Sequence, residues 1–413
     1  MMHFYFDTLD EETSNLDYLS TTPKTDFYLT SNGTVIKQTL RKMKRPVSEL
    51  VNCEHTPGIY YIDVNGDPCW WTGLSSVHNG PTDIFTNLPE HIVDYVKRGK
   101  LRLVIGADKE GGPFQHKALG DGFAAITKSA IARGLPPLSV YIMQGSQLVV
   151  QHYEEWLETS GSVRMFEVAY SNHFLKIFLD GNLPYKPLIQ AAMYVDNAKS
   201  FNSLNRVHRP HRAAHVTDLG IKGLLDEGIV SCNEVKEGED LRAEELIGKE
   251  NYARHHEFTP RFIDGDWSTN NAANSYNATV YSDTLLTVVT ETIYFDNSVF
   301  LTEKLFKPIT MGHPFIVLGS RGTLAGLRSL GFRTDFNLFS KPYDLIVDPI
   351  ERFRTVQQNL IEWIGLSKQT KVTRLLRAFP AVQHNFTHAR MKDFYTDAIV
   401  ACTNSAEKYF EKL

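Results

Sequence analysis

The sequence predicts an α/β protein of two doubly wound halves followed by helices, and three observations carry that reading. Residues 101–170 alternate apolar strands with amphipathic helices. A turn-rich segment, "DGNLPYKP" at 180–187, separates this run from a second strand–helix series. The chain of 413 residues is also too long for one ordinary core, which makes two domains the expectation.

The first half starts with "LRLVIGAD", a continuous apolar run that ends in a polar loop, as a buried parallel strand does. "DGFAAITKSAIARGLPP" reads as a helix capped by Asp121 and stopped at Gly134 and two prolines. "LSVYIMQ", "VVQHYEEWLE" and "VRMFEVAY" follow as strand, helix and strand. Upstream, "GIYYIDV" (58–64) is strand-like, and "LPEHIVDYVKRGK" places Ile92, Val93 and Val96 on one helical face. Beyond the linker, "SFNSLN" leads to a helix from Pro210 and "GIVSCN" to a strand. "TLLTVVTE", the helix at "TEKLFK" and the strand "PFIVLG" come next, then a helix at 322–330, a closing strand "YDLIVD" and helices over 350–413. The expected domains are 1–183, with an atypical 1–95, then 184–383, then a helical tail at 384–413.

Composition bounds the function. The chain is 42% hydrophobic and 22% charged, with a net charge of -5. Asp7, Asp10, Glu11, Glu12, Asp17 and Asp26 against Lys24 place all of that net charge in the first 30 residues. This is not the balance of a strongly basic nucleic-acid binder. No apolar run long enough to span a membrane occurs, and the acidic N-terminus does not read as a signal peptide. Cys53, Cys69, Cys232 and Cys402 are widely spaced, as reduced thiols of a cytoplasmic protein are. P-loop, dinucleotide-binding GxGxxG, GxSxG and HExxH motifs are absent from the sequence.

Three clusters carry candidate chemistry. In "ETIYFDNSVFLTEKLFK" (291–307), Thr302 is placed to cap a helix whose first-turn amides form an anion site. Glu303 suits that end of the helix dipole. Lys304 opposes it, which makes sense if an anion stands in front. A solvated, capped helix start is the competing reading. The second cluster, "NRVHRPHRAAH" (205–215), holds Arg206, Arg209 and Arg212 with His208, His211 and His215. Arginine forks bind phosphate bidentately, whereas a plain basic loop is the alternative; the histidines lack a metal-site pattern. The third, "GADKEGGP" (106–113), sets Asp108 and Glu110 at the end of a strand, where either is a candidate general base or part of an ordinary charged turn. "DGDW" (264–267) is only a weak metal motif, so no metal and no cofactor are expected.

The stretch "YFDNSVFLTEKLFKPITMGHPFIVLGS" resembles the signature of the α1,3-fucosyltransferases. "TEKLFKPI", "PFIVLGSRGTLAGLRSLGF" and "NRxxRPHR" are closer still to glycosyltransferase-like proteins of phages and large viruses. The resemblance implies the GT-B fold, two Rossmann-like domains facing a cleft, and a nucleoside-diphosphate sugar of UDP or GDP type as donor. Carried over by position, it implies Phe300, Glu303 and Lys304 as donor contacts and Arg212, with Arg209 beside it, at the diphosphate. Arg206, Glu291 and Thr302 complete the expected donor set. Glu110, with Asp108 beside it, is the expected catalytic base. Phe300 departs from the tyrosine usual in fucosyltransferases, and residues 1–95 match no pattern. The expected activity is metal-independent sugar transfer to an acceptor hydroxyl in the cytoplasm (the host's, if phage-encoded), with no protein partner. The acceptor is a glycan or, on the phage-like resemblance, a hydroxymethylated pyrimidine of DNA. The basic helical stretch 368–377, "NRVHRPHR" and the "CWWTG" tryptophans are the DNA contacts that acceptor would use, core burial being the competing role for Trp70 and Trp71. A non-catalytic nucleotide-sugar-binding protein is the reading from another class.

Overall fold

The computed structural model describes residues 2–6, 36, 40–49, 56–64, 68, 72–74, 83–108, 111–116, 120–172, 174, 183–233, 240–261 and 277–413. The chain divides into two compact units, Met1–His173 with Asp393–Leu413, and Phe174–Lys392. Both are α/β units built on parallel, Rossmann-like sheets.

In the first unit, β1 (His3–Phe6), β2 (Val47–Glu49), β3 (Gly58–Asp63), β4 (Leu101–Ala107), β7 (Val140–Gln144) and β8 (Phe166–Tyr170) form one parallel sheet in the order β2-β1-β3-β4-β7-β8. A separate two-residue ladder joins β5 (Gln115–His116) and β6 (Gly120–Asp121). All seven residues of β4 are buried, as its unbroken apolar pattern requires of a strand covered on both faces. Residue alternation sorts the core into two clusters. Tyr60, Ile62, Leu103 and Ile105 face helices α1 (Glu90–Lys97), α2 (Gly122–Ala132) and α3 (Val149–Ser160) through Ile92, Phe123, Ile126, Tyr153 and Trp156. Ile59, Tyr61, Val104 and Met143 face the other way. Asp121 caps α2 by accepting from Ala124 N at 3.1 Å, and its second oxygen accepts from Trp156 Nε1 at 2.7 Å.

The second face is covered by the last helix of the chain, through Tyr395, Ile399, Cys402 and Ala406. Arg102, fully buried on β4, ties that helix down. It donates to Ser405 Oγ at 2.7 Å and to Leu138 O at 3.0 Å, and pairs with Glu167 at 3.2 Å. The chain therefore divides near 173 and 392, where the sequence suggests 183 and 383. Residues 394–410 are part of the first unit's core, a long-range pairing that no local pattern displays.

The second unit contains β9 (Phe201–Asn205), α4 (Pro210–Ile221), β10 (Gly228–Cys232), α5 (Asp240–Ile247), β11 (Thr287–Thr290), α6 (Glu303–Met311), β12 (Phe315–Leu318), α7 (Thr323–Ser329), α8 (Pro349–Ile364) and α9 (Lys368–Met391). Its parallel sheet runs β10-β9-β11-β12. From β9 the chain steps through α4 to one side, and from β11 through α6 to the other. Right-handed crossovers in opposite directions put the two helices on opposite faces. The strand order thus reverses between β9 and β11, and ligands of open α/β sheets bind beyond the carboxyl ends of strands at such a point.

One expected strand is absent. "YDLIVD" (343–348) adds no strand to the sheet; side chains anchor it instead. Tyr343 Oη accepts the edge amide of Val317 at 3.0 Å, and the Asp344 carboxylate accepts from Leu324 N and Ala325 N. The edge of β12 is covered by a phenol where a fifth strand was expected.

Three buried histidines join the elements of this unit. His215 Nδ1 shares a hydrogen bond with Gln357 Oε1 at 2.7 Å, and His313 bridges Thr287 Oγ1 and Thr284 O. His211 stacks on Tyr294, with ring centroids 5.0 Å apart. Burial lowers His215 and His313 from 6.5 to about 4. Their unfolded rings bind protons that the folded rings refuse. Stability is therefore fully present above about pH 6.5 and lost as pH falls toward 4. Each ring contributes up to about 3 kcal/mol to that loss. Urea midpoints measured between pH 7 and pH 4.5 should fall, and His215→Gln should flatten the slope by its own share.

Candidate anion-binding site

A buried carboxylate organises the carboxyl end of β11. Glu291, one residue past the strand and 1% exposed, accepts from Thr302 N at 3.0 Å and from Thr302 Oγ1 at 2.6 Å. Its second oxygen also takes Thr292 N at 3.1 Å. Burial raises the Glu291 carboxyl, opposed by the Lys304 charge and the bonds from Thr302. Thr302 is also the cap of α6, accepting from Lys304 N at 3.3 Å. The loop 292–301 is thereby closed onto the strand it leaves, and the start of α6 is fixed beside the switch point. At the other end of α6, Gly312 takes φ +64°, and a Cβ there would lie 2.4 Å from Pro187. Only glycine fits that turn.

Beside the head of α6 lies a cavity of about 220 Å³. Its walls include Asn205 and Arg206 from the end of β9, Ser231 from β10, Thr290 from β11, Tyr281, and Glu303, Lys304 and Lys307 from α6. Among these described residues, cations outnumber carboxylates three to one. Lys304 Nζ donates to Glu303 Oε1 at 2.5 Å and to Thr292 Oγ1 at 3.2 Å. Burial alone would raise the Glu303 carboxyl, but Lys304 and Lys307 outweigh it and hold the group below the usual carboxylate range. Burial brings Lys307 down to about 8; Glu303 opposes that, while Lys304 and Arg206 add to it. Such a wall suits a polyanion, with Glu303 placed to accept from hydroxyl groups.

The expected donor residues do not all reach the cavity. Arg206, Glu303 and Lys304 line the cavity. Glu291 and Thr302 form the clamp behind it. Arg209 is the N-terminal cap residue of α4, half-buried, and donates to His208 O at 3.3 Å. Arg212, expected at the diphosphate, is 2% exposed and spends its guanidinium on the main chain. It donates to Val207 O at 2.8 Å, Thr290 O at 2.9 Å and Glu291 O at 3.1 Å. Burial, with Arg209 nearby, lowers it to about 10. Arg212 shapes the loops at the switch point and lies outside the cavity lining. Phe300 is also buried away from that lining, packed edge-on against Phe174 at 5.6 Å.

In the first unit, Asp108 follows β4, is 1% exposed and accepts from Ser171 Oγ at 2.9 Å. Glu110, Trp70, Trp71, Cys53, Cys69 and "DGDW" lie outside the described residues. Among the described residues, no three His, Cys, Asp or Glu side chains gather as a metal site, and no helix is long and apolar enough to cross a membrane. Among the charged lining residues, Lys307 is the one missing from the sequence-derived set. Its signal was present, because positions 303, 304 and 307 share one helical face.

No family model and no curated protein matches the chain. Among solved structures, the Candida albicans trehalose-6-phosphate phosphatase N-terminal domain aligns with a TM-score of 0.44 at 12% identity, covering 95% of this chain and 78% of its own. The trehalose-6-phosphate synthase OtsA aligns at 0.41 and 10% identity, covering 98% and 99%. A trehalose-6-phosphate synthase studied with bisubstrate glycomimetics aligns at 0.41 and 8% identity, covering 98% of both chains. The fold assignment rests on the two parallel sheets themselves.

Thr302→Val removes the cap of α6 and one donor to a buried carboxylate, and should cost about 1–2 kcal/mol in denaturant unfolding. The two arginines should behave oppositely. Arg212→Ala removes one donor from each of three main-chain carbonyls and empties the space of a buried guanidinium, and should lower unfolding free energy by about 3 kcal/mol. Arg206→Ala, at an exposed position, should leave the melting curve of the protein alone within about 0.5 kcal/mol.

Proposed function

We propose that this chain is a glycosyltransferase of the GT-B type that uses a nucleoside-diphosphate sugar. The observation that carries the reading is the cavity at the reversal of strand order between β9 and β11, walled by Arg206, Lys304 and Lys307 with Glu303 among them. Two Rossmann-like units and the motif around Thr302–Lys304 support it. In this reading Lys304 and Arg206 balance charge developing on the departing diphosphate, in a geometry set before the donor arrives. Glu303, ionised and held by Lys304, accepts from the vicinal hydroxyls of a ribose. Metal-independent departure of the diphosphate is part of this proposal, since the cations of the wall supply the charge. Asp108 and Glu110 are our candidates for the base that takes the acceptor proton. The acceptor is a hydroxyl of a glycan or of a hydroxymethylated base.

The test is a thermal-shift panel of UDP-, GDP- and CMP-sugars. One of them should raise the melting temperature of the wild type. At a hundredfold excess over Kd the stabilisation is about 2.7 kcal/mol. Lys304→Ala should bind that donor about tenfold more weakly, equivalent to about 1.4 kcal/mol, and Arg206→Ala should weaken it similarly. If no nucleotide sugar stabilises the wild type, the reading fails. With a donor in hand, its consumption in the presence of glycans or of DNA carrying hydroxymethylcytosine identifies the acceptor.

A further inference from the structure

Lys307 stands three residues beyond Lys304 and four beyond Glu303, so all three charged side chains leave α6 on one face. All three line the cavity, and Arg206 enters it from the end of β9. We propose that Lys307 is a further binding residue of this cavity, forming with Lys304 and Arg206 a three-cation cradle for the two phosphoryl groups of a diphosphate. The inference rests on the proposed reading of the cavity as an anion site and adds a residue to which the resemblance assigns no donor contact.

The geometry gives the three cations different parts. Lys304 is already oriented by Glu303 and Thr292. Arg206 offers a planar fork from the end of β9, and Lys307 a compact charge on a flexible stem one turn further along α6. The charged groups acting on Lys307 are Glu303 and Lys304 from its own helix and Arg206 from the strand end. Tyr281, from the short helix Ala278–Ser282, is an un-ionised phenol, since burial raises it further above its usual range. On α9, which packs against α6, Arg390 is turned to the main chain at Thr310 O. Lys307 sits at about 8, so a fraction of it is neutral in mildly alkaline solution. A diphosphate placed between the three cations favours the ammonium form, and binding then draws a proton from solvent.

Calorimetric titration with inorganic pyrophosphate at pH 8.5, repeated in two buffers of different ionisation enthalpy, reads both affinity and proton uptake. Pyrophosphate is itself partly protonated at this pH and sheds that proton alike in every variant. The uptake owed to Lys307 is therefore read as the difference between wild type and Lys307→Arg, and should be a substantial fraction of a proton. Lys307→Arg keeps a cation that does not titrate there. It should bind within about threefold of wild type and take up no proton from this position. Lys307→Met should bind at least about tenfold more weakly. The Arg variant decides the matter should the Met variant melt early. Pyrophosphate binding by Lys307→Met equal to wild type overturns the proposal, as does undiminished proton uptake in Lys307→Arg. If wild type binds a nucleoside diphosphate while Lys307→Met binds it equally well, this inference alone falls. If wild type binds neither pyrophosphate nor any nucleoside diphosphate, the anion site falls with it.

Discussion

The site depends on one buried contact, the Glu291 carboxylate against the main-chain amide and hydroxyl of Thr302. A carboxylate taken out of water is costly unless its oxygens are satisfied. Here the amides of Thr292 and Thr302 and the Thr302 hydroxyl satisfy it, and Lys304 adds an opposing charge. The same threonine accepts from the first turn of α6, so one residue serves both the strand end and the helix start. The direction in which Glu303, Lys304 and Lys307 leave the helix follows from that double use. Arg212 and His211 act on the other side of the same residue by holding the Glu291 carbonyl. Two helices on opposite faces of the sheet are thus fastened to one peptide at the point where the strand order reverses.

Much of this was legible in the chain. Buried parallel strands announce themselves because apolar side chains fill both faces, and β4 did so over its whole length. Thr302 was recognisable as a cap because a short hydroxyl before an amphipathic run has few other local uses. The choice among arginines was not legible. Arg206, Arg209 and Arg212 sit within seven residues, and their roles depend on which carbonyls the fold brings close. Arg212 meets carbonyls from β11, nearly eighty positions away, so spacing along the sequence carries no trace of it. The membership of the last helix in the first unit was hidden for the same reason, since its partner Arg102 lies some three hundred residues upstream. "YDLIVD" misled in the opposite direction. Its alternation fits a strand, but Tyr343 and Asp344 are worth more as side-chain anchors to β12 and α7.

A lysine in the first turn of a helix opposes the dipole, and the structure supplies a first answer within the helix itself. Lys304 is paired with Glu303, which the dipole favours, so the two together do little to the field at the helix start. Arg206 and Lys307 are the further cations among the described lining residues, one following β9 and one on α6. Lys304 and Glu303 act as a fixed pair, one member offering a donor and the other an acceptor. A ligand that matches this arrangement carries negative charge on neighbouring groups and hydroxyls close by. A phosphate alone leaves Glu303 without a purpose, and a neutral sugar leaves the cations without one. The combination of a charged group and a diol in one small ligand is the ground on which a nucleoside diphosphate is proposed for this wall.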